Sequence, residues 1–406
     1  MKTSRRFTSF LTVTVAVLAA PLAAQLRVID LGALPDAQFS QAWAINHHGQ
    51  IAGSSGGLEG IDQHAALWRD GEWIDLGTLP GHTFSLALDI NKHADVVGSS
   101  RSTIENTRAV LWRRGEPIDL GTLPGGSYST ADAINDRGQV AGTALDADGR
   151  LHLVWWDREQ MVDLGLFPGP QWRWVSAIND RGVIVGYGDG SSAFVWRDGV
   201  FSELTALNGS ASSVARDVDS RGCVVGSSAT LNGQAHATLW CAGQTTDLGV
   251  LPGGAFSEAT GINERGQIAG WGYSSTFEPH AILWQDGEII DLGTLPGGSA
   301  SFAMDINDRG VIAGLAMPKR SRLGCTAPCG PSAGGREITP DWARLATISL
   351  TSRPMDHCCC KERAPRPLQP RVALRASDGQ AAHRAGPCAD ELALVTAVFN
   401  TSTIRR

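Results

Sequence analysis

Short apolar, β-favouring runs recur along this chain, and turn sequences of polar residues, Gly and Pro separate them. In residues 280–314, His-Ala-Ile-Leu-Trp precedes an Asp-Gly hairpin signal, and Glu-Ile-Ile-Asp-Leu-Gly follows as the returning strand. Thr-Leu-Pro-Gly-Gly then predicts a turn, because proline fixes φ and glycine allows positive φ. Residues 302–307 and 311–314 are predicted as third and fourth strands around Asn-Asp-Arg-Gly, and no helical period competes.

The same pattern returns seven times, with a period of 44 or 45 residues and one step of 40 residues. Such a period is typical of supersecondary units that stack or form a ring, because one unit cannot bury its apolar face alone. The acid of the first half lies at Asp30, Asp75, Asp119, Asp163, Glu203, Asp247 and Asp291, and sixteen residues later come Asn46, Asn91, Asn135, Asn179, Asp219, Asn263 and Asn307.

Four short strands in about 44 residues match one propeller blade. We therefore predict an all-β fold, a β-propeller of about seven four-stranded blades; a β-solenoid is the alternative, although it normally has fewer antiparallel hairpin turns. A tryptophan stands seven residues before six of the acids, and we interpret these side chains as repeat core between blades: Trp68, Trp112, Trp156, Trp196, Trp240 and Trp284.

These motifs resemble the HAF repeat family, a group of extracellular repeat proteins whose consensus begins His-Ala-Phe-Leu-Trp and continues into D-L-G-T-L-P-G-G and I-N-x-x-G. The resemblance covers residues 26–315 and implies an exported, repeat-built protein with no catalytic residues to transfer. The consensus histidine is replaced by Arg108 and Ser192 in two copies, and it is present as His64, His152, His236 and His280.

The ends of the chain differ from the repeats. Residues 1–24 are predicted to be a signal peptide, with basic residues before an apolar stretch, so that an extracellular or periplasmic location follows. Residues 25–316 form the predicted HAF-like repeat propeller domain. Residues 317–406 form an irregular tail rich in basic residues, Cys and Pro, in which no His-Ala-Phe-Leu-Trp strand follows the last repeat. We therefore predict a disordered tail and an incompletely closed ring, whose strand at residues 28–32 has an exposed edge.

Charge and cysteine usage narrow the function classes. Residues 25–318 hold 34 acidic and 17 basic residues, which argues against a nucleic-acid partner because phosphate binding needs a basic face. Six of the eight cysteines lie in the tail, without a familiar zinc spacing, so we expect no metal site, no cofactor and no disulfide framework in the repeats. After signal removal, no segment is long and apolar enough to span a membrane.

One position of the repeat suggests recognition. Nine residues after the acid, five copies carry an aromatic side chain, and serine follows in six of the seven copies. If these loops meet at one mouth of the ring, they form a face suited to sugar or peptide contacts, whereas the alternative is that the rings pack under the turn as core. The fourth copy departs most from the repeat. The candidate face consists of Phe39, Phe84, Tyr128, Trp172, Arg173, Trp174 and Phe256.

No catalytic signature stands out along the chain, so we expect no catalytic residue and favour an exported, non-catalytic binding or interaction module with a glycan or protein ligand. A glycan-active hydrolase or lyase on the same scaffold is the first alternative, and an envelope assembly scaffold is the second. An enzyme should show a cluster of acids or bases that departs from the repeat consensus on one face.

Overall fold

A computed structural model describes residues 27–57, 63–103, 106–167, 173–188, 192–210, 212–317 and 395–400. They form 28 β-strands and one turn of 3-10 helix at Leu207–Gly209, and all of them belong to one compact unit. The predicted signal peptide lies outside the described residues.

Twenty-four consecutive strands form six four-stranded antiparallel blades, each with its strands in chain order from first to fourth. Blades 1 to 3 contain β2(Phe39–Ile45), β3(Ile51–Gly56), β4(His64–Arg69) and β5(Glu72–Gly77), then β6(Phe84–Ile90), β7(Val96–Arg101), β8(Thr107–Arg113) and β9(Glu116–Asp119), then β10(Ser129–Ile134), β11(Val140–Leu145), β12(Leu151–Asp157) and β13(Gln160–Leu166).

Blades 4 to 6 have the same order and complete the run of consecutive strands. They contain β14(Arg173–Ile178), β15(Ile184–Gly188), β16(Ser192–Arg197) and β17(Val200–Glu203), then β18(Ser213–Val218), β19(Val224–Ala229), β20(Ala235–Cys241) and β21(Gln244–Gly249), then β22(Ser257–Ile262), β23(Ile268–Tyr273), β24(Pro279–Gln285) and β25(Glu288–Gly293).

The remaining strands build a closing sheet from both ends of the chain. β26(Ala300–Ile306) and β27(Val311–Met317) come from the last repeat, β28(Val395–Asn400) from the tail, and β1(Arg27–Asp30) from the first repeat. β28 pairs antiparallel with β27 on one side and with β1 on the other. The first and last parts of the chain therefore share one sheet and complete the ring.

This arrangement confirms the all-β propeller and corrects three details. The antiparallel sheets exclude the β-solenoid alternative. The number of blades formed by consecutive strands is six, one fewer than the seven repeats predict. The incompletely closed ring and the exposed edge at residues 28–32 are wrong, because β28 covers β1. The reason is that the tail supplies a β-branched strand, Val-Thr-Ala-Val-Phe-Asn, without the His and Trp of the repeat; the rest of the tail lies outside the described residues.

The sequence repeat and the blade are out of phase by two strands. His-Ala-Ile-Leu-Trp and Asp-Leu-Gly are the third and fourth strands of one blade, and the next two strands of the same repeat open the following sheet. Thr-Leu-Pro-Gly-Gly therefore connects neighbouring sheets instead of turning within one. Each repeat contributes strands to two sheets. Neighbouring sheets are therefore joined by the continuous chain as well as by side-chain packing.

The core lies between adjacent sheets. Trp112, 1% exposed, packs with Leu67, Leu76 and Leu79 of the preceding blade. Each buried indole removes a large apolar area from water, so these side chains are the main hydrophobic contribution to the packing between sheets. Trp68 is half-buried, and the repeated tryptophans with buried side chains are Trp112, Trp156, Trp196, Trp240 and Trp284.

The last glycine of the repeat motif is required by a close backbone approach. A Cβ built on Gly98 would lie 1.9 Å from the carbonyl oxygen of Leu86 on the first strand of the same blade. The first strand has a register shift immediately after this point, between Ala87 and Asp89. The first strand of every sheet has the same register shift, so the close approach at the glycine and the bulge beside it recur around the ring.

Candidate functional site

The repeated acids and histidines fasten the third strand of a sheet to the fourth. Asp75 Oδ1 accepts the backbone N–H of Gly77 at 2.7 Å, and Asp75 Oδ2 lies 2.9 Å from His64 Nδ1. Where arginine replaces the histidine, Arg108 binds Asp119 through two nitrogens at 3.2 and 3.0 Å. These contacts agree with the interpretation of the acids as turn-stabilising groups. The same His–Asp pair occurs as His152–Asp163, His236–Asp247 and His280–Asp291.

The repeated serine connects neighbouring sheets and is not available for ligands. Ser85 is fully buried; its Oγ donates to the carbonyl oxygen of Gly77 at 2.7 Å and accepts the N–H of Ala65 at 2.8 Å. The predicted hydroxyl-lined face is therefore wrong in this respect. The equivalent serines, each at most 3% exposed, are Ser40, Ser129, Ser213, Ser257 and Ser301.

The structure divides the aromatic residues of the predicted face. Phe39 and Phe84 are buried, with exposures of 9% and 8%. These two side chains therefore belong to the core and are not part of a ligand-binding face. Trp172 lies outside the described residues. The remaining candidates are half-buried and lie at or directly before the start of the first strand of a blade: Tyr128, Arg173, Trp174 and Phe256.

We define the mouth face as the side of the ring that carries the connections between sheets and the loops between second and third strands. Both lie at the same end of a sheet, because the start of the first strand pairs with the end of the second, as Ser257 does with Gly272. On this face, residues of blades 4, 5 and 6 form a continuous wall.

The wall begins with two rings and a guanidinium group. The rings of Trp174 and Tyr187 lie 5.3 Å apart with an interplanar angle of 31°. Arg216 Cζ lies 4.9 Å from the centre of the Tyr187 ring, and Arg216 Nη1 donates to the Tyr187 hydroxyl at 3.3 Å. This arrangement stacks a cation on an aromatic face.

An ion pair between Arg216 of blade 5 and Glu258 of blade 6 continues the wall from one blade to the next. Arg216 Nε donates to Glu258 Oε1 at 2.6 Å. Burial lowers the pKa of Arg216, but the charge of Glu258 more than offsets burial, so that this pKa lies above its usual range. The guanidinium therefore stays charged and fixes Glu258, whose register partner on the adjacent strand is Trp271.

Blade 6 contributes three rings in mutual contact. Phe256 lies 4.7 Å from Trp271 and 5.7 Å from Tyr273 between ring centres. Trp271 is buried and also contacts Phe302 at 5.1 Å, whereas Phe256 and Tyr273 are half-buried. Burial raises the pKa of the Tyr273 hydroxyl. The outer surface of this cluster offers two rings to a ligand.

The loop after Tyr273 extends the aromatic surface. Phe277 is 79% exposed and has φ of 59°, a left-handed conformation that costs an aromatic residue about 1–2 kcal/mol. The equivalent positions of blades 3 and 5 hold Gly149 and Gly233 with φ of 75° and 76°. An exposed ring at a position suited to glycine is unfavourable for folding, and such strain is typical of functional positions.

Several wall residues were missed in the sequence analysis, although a signal was present. Tyr187 and Trp271 follow the last glycine of the repeat motif, where the other blades carry Ser or Thr. Arg216 and Glu258 occupy variable positions of the innermost strands. Only the fold shows that these departures from the consensus lie side by side.

Three aspartates occupy the same position on the first strands of blade 2, blade 5 and the closing sheet. Asp89, Asp217 and Asp305 each accept two backbone N–H groups, one of them from the next sheet, as Asp305 Oδ2 does from Ile45 at 2.8 Å. Burial raises the pKa of Asp89 and of Asp305 to about 6 and of Asp217 to about 7, and their mutual repulsion adds to the shift. In the described part of the chain, no three His, Cys, Asp or Glu side chains group as metal ligands.

These carboxyls predict that the protein is more stable in mildly acidic solution. Their folded pKa values of about 6 to 7 exceed the ordinary 3.8, so the folded state binds protons more tightly. The resulting stabilisation is complete below the ordinary pKa and is lost as pH rises through about 6 to 7. Between about pH 8 and pH 5.5, each carboxyl should add about 1–2 kcal/mol to the free energy of unfolding.

Urea unfolding across that pH range measures this effect. The triple variant Asp89→Asn, Asp217→Asn and Asp305→Asn should show a flatter dependence, whatever its absolute stability. An equal slope in both proteins would assign the pH dependence to other groups.

Comparisons with known proteins bear on the fold alone. No protein-family model matches the chain, and no curated protein matches its sequence. Among solved structures, TolB from Acinetobacter baumannii is 12% identical, with a TM-score of 0.42, and the match covers 60% of this chain and 63% of TolB. The propeller domain of the Trilobed protease from Pyrococcus furiosus is 10% identical, with a TM-score of 0.44 and coverage of 69% and 91%.

A puromycin-hydrolyzing peptidase of Mycobacterium tuberculosis is 14% identical, with a TM-score of 0.47, and the match covers 72% of this chain and 49% of the peptidase. The chain thus spans about half to nine tenths of these structures. No described helix has the length and apolar character needed to cross a membrane.

Proposed function

We propose that this chain is an exported, non-catalytic binding protein that holds a glycan on the mouth face, over blades 4 to 6. The observation that carries the proposal is the continuous wall from Trp174 through Arg216 to Tyr273, in which Tyr187 and Trp271 replace the Ser or Thr of the other blades. Half-buried rings beside fixed polar groups suit the apolar faces and hydroxyls of sugars.

The distribution of charge supports a neutral ligand. The two connections of blade 6 on the mouth face, residues 250–255 and 274–277, consist of Gly, Ser, Thr and apolar residues. At the opposite end of the sheets, Arg113 pairs with Asp95 and Lys92 with Asp136. A hydroxyl-rich, uncharged ligand therefore meets little desolvation cost on the mouth face.

A glycan-active hydrolase or lyase is less well supported. Glycoside hydrolysis normally requires two carboxyl groups on either side of the scissile bond. The described wall offers one, Glu258, and its Oε1 already accepts the Arg216 hydrogen bond. Export rests on the sequence of residues 1–24, and the HAF resemblance remains a prediction.

Substitution of the half-buried rings tests the proposal. After screening of the full protein on glycan and peptide arrays, Trp174→Ala and Tyr273→Ala should each weaken binding of the selected glycan at least about tenfold, the loss typical of an interface anchor. Arg158→Ala, on an exposed hairpin tip at the opposite end, is the matched control and should bind normally. Melting temperatures measured alongside distinguish a lost contact from lost core packing.

Selection of a peptide instead of a glycan would favour the protein-ligand alternative. Unchanged affinity in both ring variants would remove the wall from consideration. A broad collapse of the melting temperature in either variant would assign that ring to the core.

A further inference from the structure

The closing sheet contains a third strand that differs from those of the blades. In the register of the sheets, Ile312 pairs with Phe399 as Ile268 pairs with Trp284, and Gly314 pairs with Ala397 as Gly270 pairs with Ile282. β28 therefore occupies the position that His-Ala-Ile-Leu-Trp takes in blade 6, and its own sequence there is Val-Thr-Ala-Val-Phe.

Two residues of the repeat are missing from β28. Phe399 stands where the blades place tryptophan, and Val395 stands where four of them place histidine. The fourth strand β1 nevertheless retains the repeated acid, Asp30, which pairs with Ala397 just as Asp291 pairs with Ile282. Asp30 Oδ1 accepts the N–H of Gly32 at 2.8 Å, as its equivalents do. The closing sheet thus keeps the acid that elsewhere pairs with the histidine.

The surroundings of the tryptophan position are also retained. Around Trp112, the preceding blade supplies Leu67 and Leu76, and the second strand supplies Val96. The equivalent core between blade 6 and the closing sheet contains Leu283, Leu292 and Ile312. An acceptor built like those that hold tryptophan is therefore paired with a strand whose sequence has phenylalanine, a smaller apolar residue than tryptophan, at this register position.

The third-strand position of the closing sheet lies between the backbone edges of β27 and β1. β28 pairs along its whole length with β27 and through four residues with β1. A strand placed here gains two hydrogen-bonded ladders, whereas a peptide added to an outer edge gains one. Seventy-seven residues, 318–394, separate β28 from β27 in the sequence, so their pairing joins strands that are distant along the chain, which costs entropy.

We propose that the third-strand position of the closing sheet is a binding site for an extended segment of another protein with the pattern His-Ala-apolar-Leu-Trp, which replaces β28. The histidine of that segment would stand opposite Asp30, its tryptophan would fill the position of Phe399, and its backbone would pair with β1 and β27. The site is separate from the glycan wall and does not depend on it.

The test uses the full chain and a fluorescein-labelled peptide that copies residues 278–287, Glu-Pro-His-Ala-Ile-Leu-Trp-Gln-Asp-Gly. Fluorescence anisotropy should show saturable binding at micromolar peptide, and the melting temperature should rise with peptide concentration. The control peptide, in which alanine replaces the tryptophan, should bind at least tenfold more weakly.

Substitutions of Phe399 provide opposite expectations. Phe399→Trp should strengthen the internal strand, raise the melting temperature of the free protein and weaken peptide binding at least tenfold. Phe399→Ala should weaken the internal strand and tighten peptide binding by a similar factor. Because the tryptophan variant is expected to be more stable, a folding failure of the alanine variant does not remove the test.

Three results would overturn the proposal. The first is no binding to either the unmodified protein or the Phe399→Ala variant. The second is equal binding of the two peptides. The third is a concentration-dependent dimer in sedimentation analysis that disappears in Phe399→Trp, because the occupant would then be β28 of a second copy of this chain.

Discussion

Replacing Trp156 by alanine is expected to lower the free energy of unfolding by about 3–5 kcal/mol. Trp156 is 1% exposed and packs between blades 2 and 3 with Leu120 and Val140. Its Nε1 also donates to the carbonyl oxygen of Leu120 at 2.8 Å, so the substitution leaves a buried acceptor without this donor. Both the cavity and the lost hydrogen bond act in the same direction.

Urea unfolding followed by circular dichroism measures the change. Phe277→Gly is the matched control, because it removes an aromatic ring that is 79% exposed at a left-handed φ. Since the equivalent positions already hold glycine, stability should be unchanged or slightly higher. A similar loss in both variants would contradict the assignment of the repeated tryptophans to the inter-blade core.

Asn307→Ala is expected to cost about 3 kcal/mol, because it opens a belt of hydrogen bonds around the ring. Asn307 is buried; its Nδ2 donates to the carbonyl oxygen of Asn46 at 2.9 Å, and its Oδ1 accepts the N–H groups of Arg309 and Val311. The same hydrogen bond, from a side-chain amide to a backbone carbonyl, joins every pair of neighbouring sheets except one. The other donors are Asn46, Asn91, Asn135, Asn179 and Asn263.

The hydrogen bond is absent between Asp219 and Asn263, and this difference suggests two variants for comparison with Asn307→Ala. Asp219 accepts the N–H groups of Arg221 and Cys223 as the asparagines do, but a carboxylate cannot donate to the carbonyl of Asn263. Asn307→Asp should therefore lose only the link to Asn46 and cost less than Asn307→Ala. Asp219→Asn should supply the absent donor and raise stability by about 1 kcal/mol, less the exposed Arg221 ion pair.

Thermal unfolding of the three variants decides between these effects. The expected order of melting temperature is Asp219→Asn, unmodified protein, Asn307→Asp and Asn307→Ala. If Asn307→Asp equalled the unmodified protein, the inter-blade link would contribute nothing, and the belt would be a consequence of ring geometry. A melting temperature for Asn307→Asp as low as that for Asn307→Ala would assign the whole loss to that link.

Blade 5 contains a cross-strand disulfide, which the cysteine pattern of the repeats did not predict. Cys223 and Cys241 are bonded across the second and third strands of blade 5, at a Cα–Cα distance of 4.4 Å. Val224 and Trp240, the adjacent pair in the ladder, already hold these strands in register. The bond therefore lies within one blade and connects strands that the backbone ladder already pairs.

The sequence by itself determined the strands, the turns and the propeller class. Their causes are local: alternation sets the faces of a strand, Asp-Gly and Asn-x-x-Gly set the turns, and seven copies in one register demand equivalent units. The interpretation of acids such as Asp75 as turn-stabilising groups also rests on residues close in sequence, because its acceptor contact to Gly77 spans two positions.

Tertiary structure alone decided how the units are divided and closed. Blades combine strands from two repeats, and β28 completes the closing sheet although it has neither the histidine nor the tryptophan of the repeat. A six-residue strand gains its stability from the two ladders beside it, and those ladders are distant in sequence. No local pattern in the tail could therefore identify it.

The candidate site divides in the same way. Phe256 was predicted from a repeat position that carries aromatic residues, and Trp174 was predicted from the departure of the fourth copy from the repeat. Burial of Phe39 and Phe84 at the same position as Phe256 depends on their neighbours in space. Arg216 lies 29 residues from Tyr187 and 42 from Glu258, and only the ring brings the three together. Sequence determines which residues depart from the repeat, whereas packing determines which departures meet.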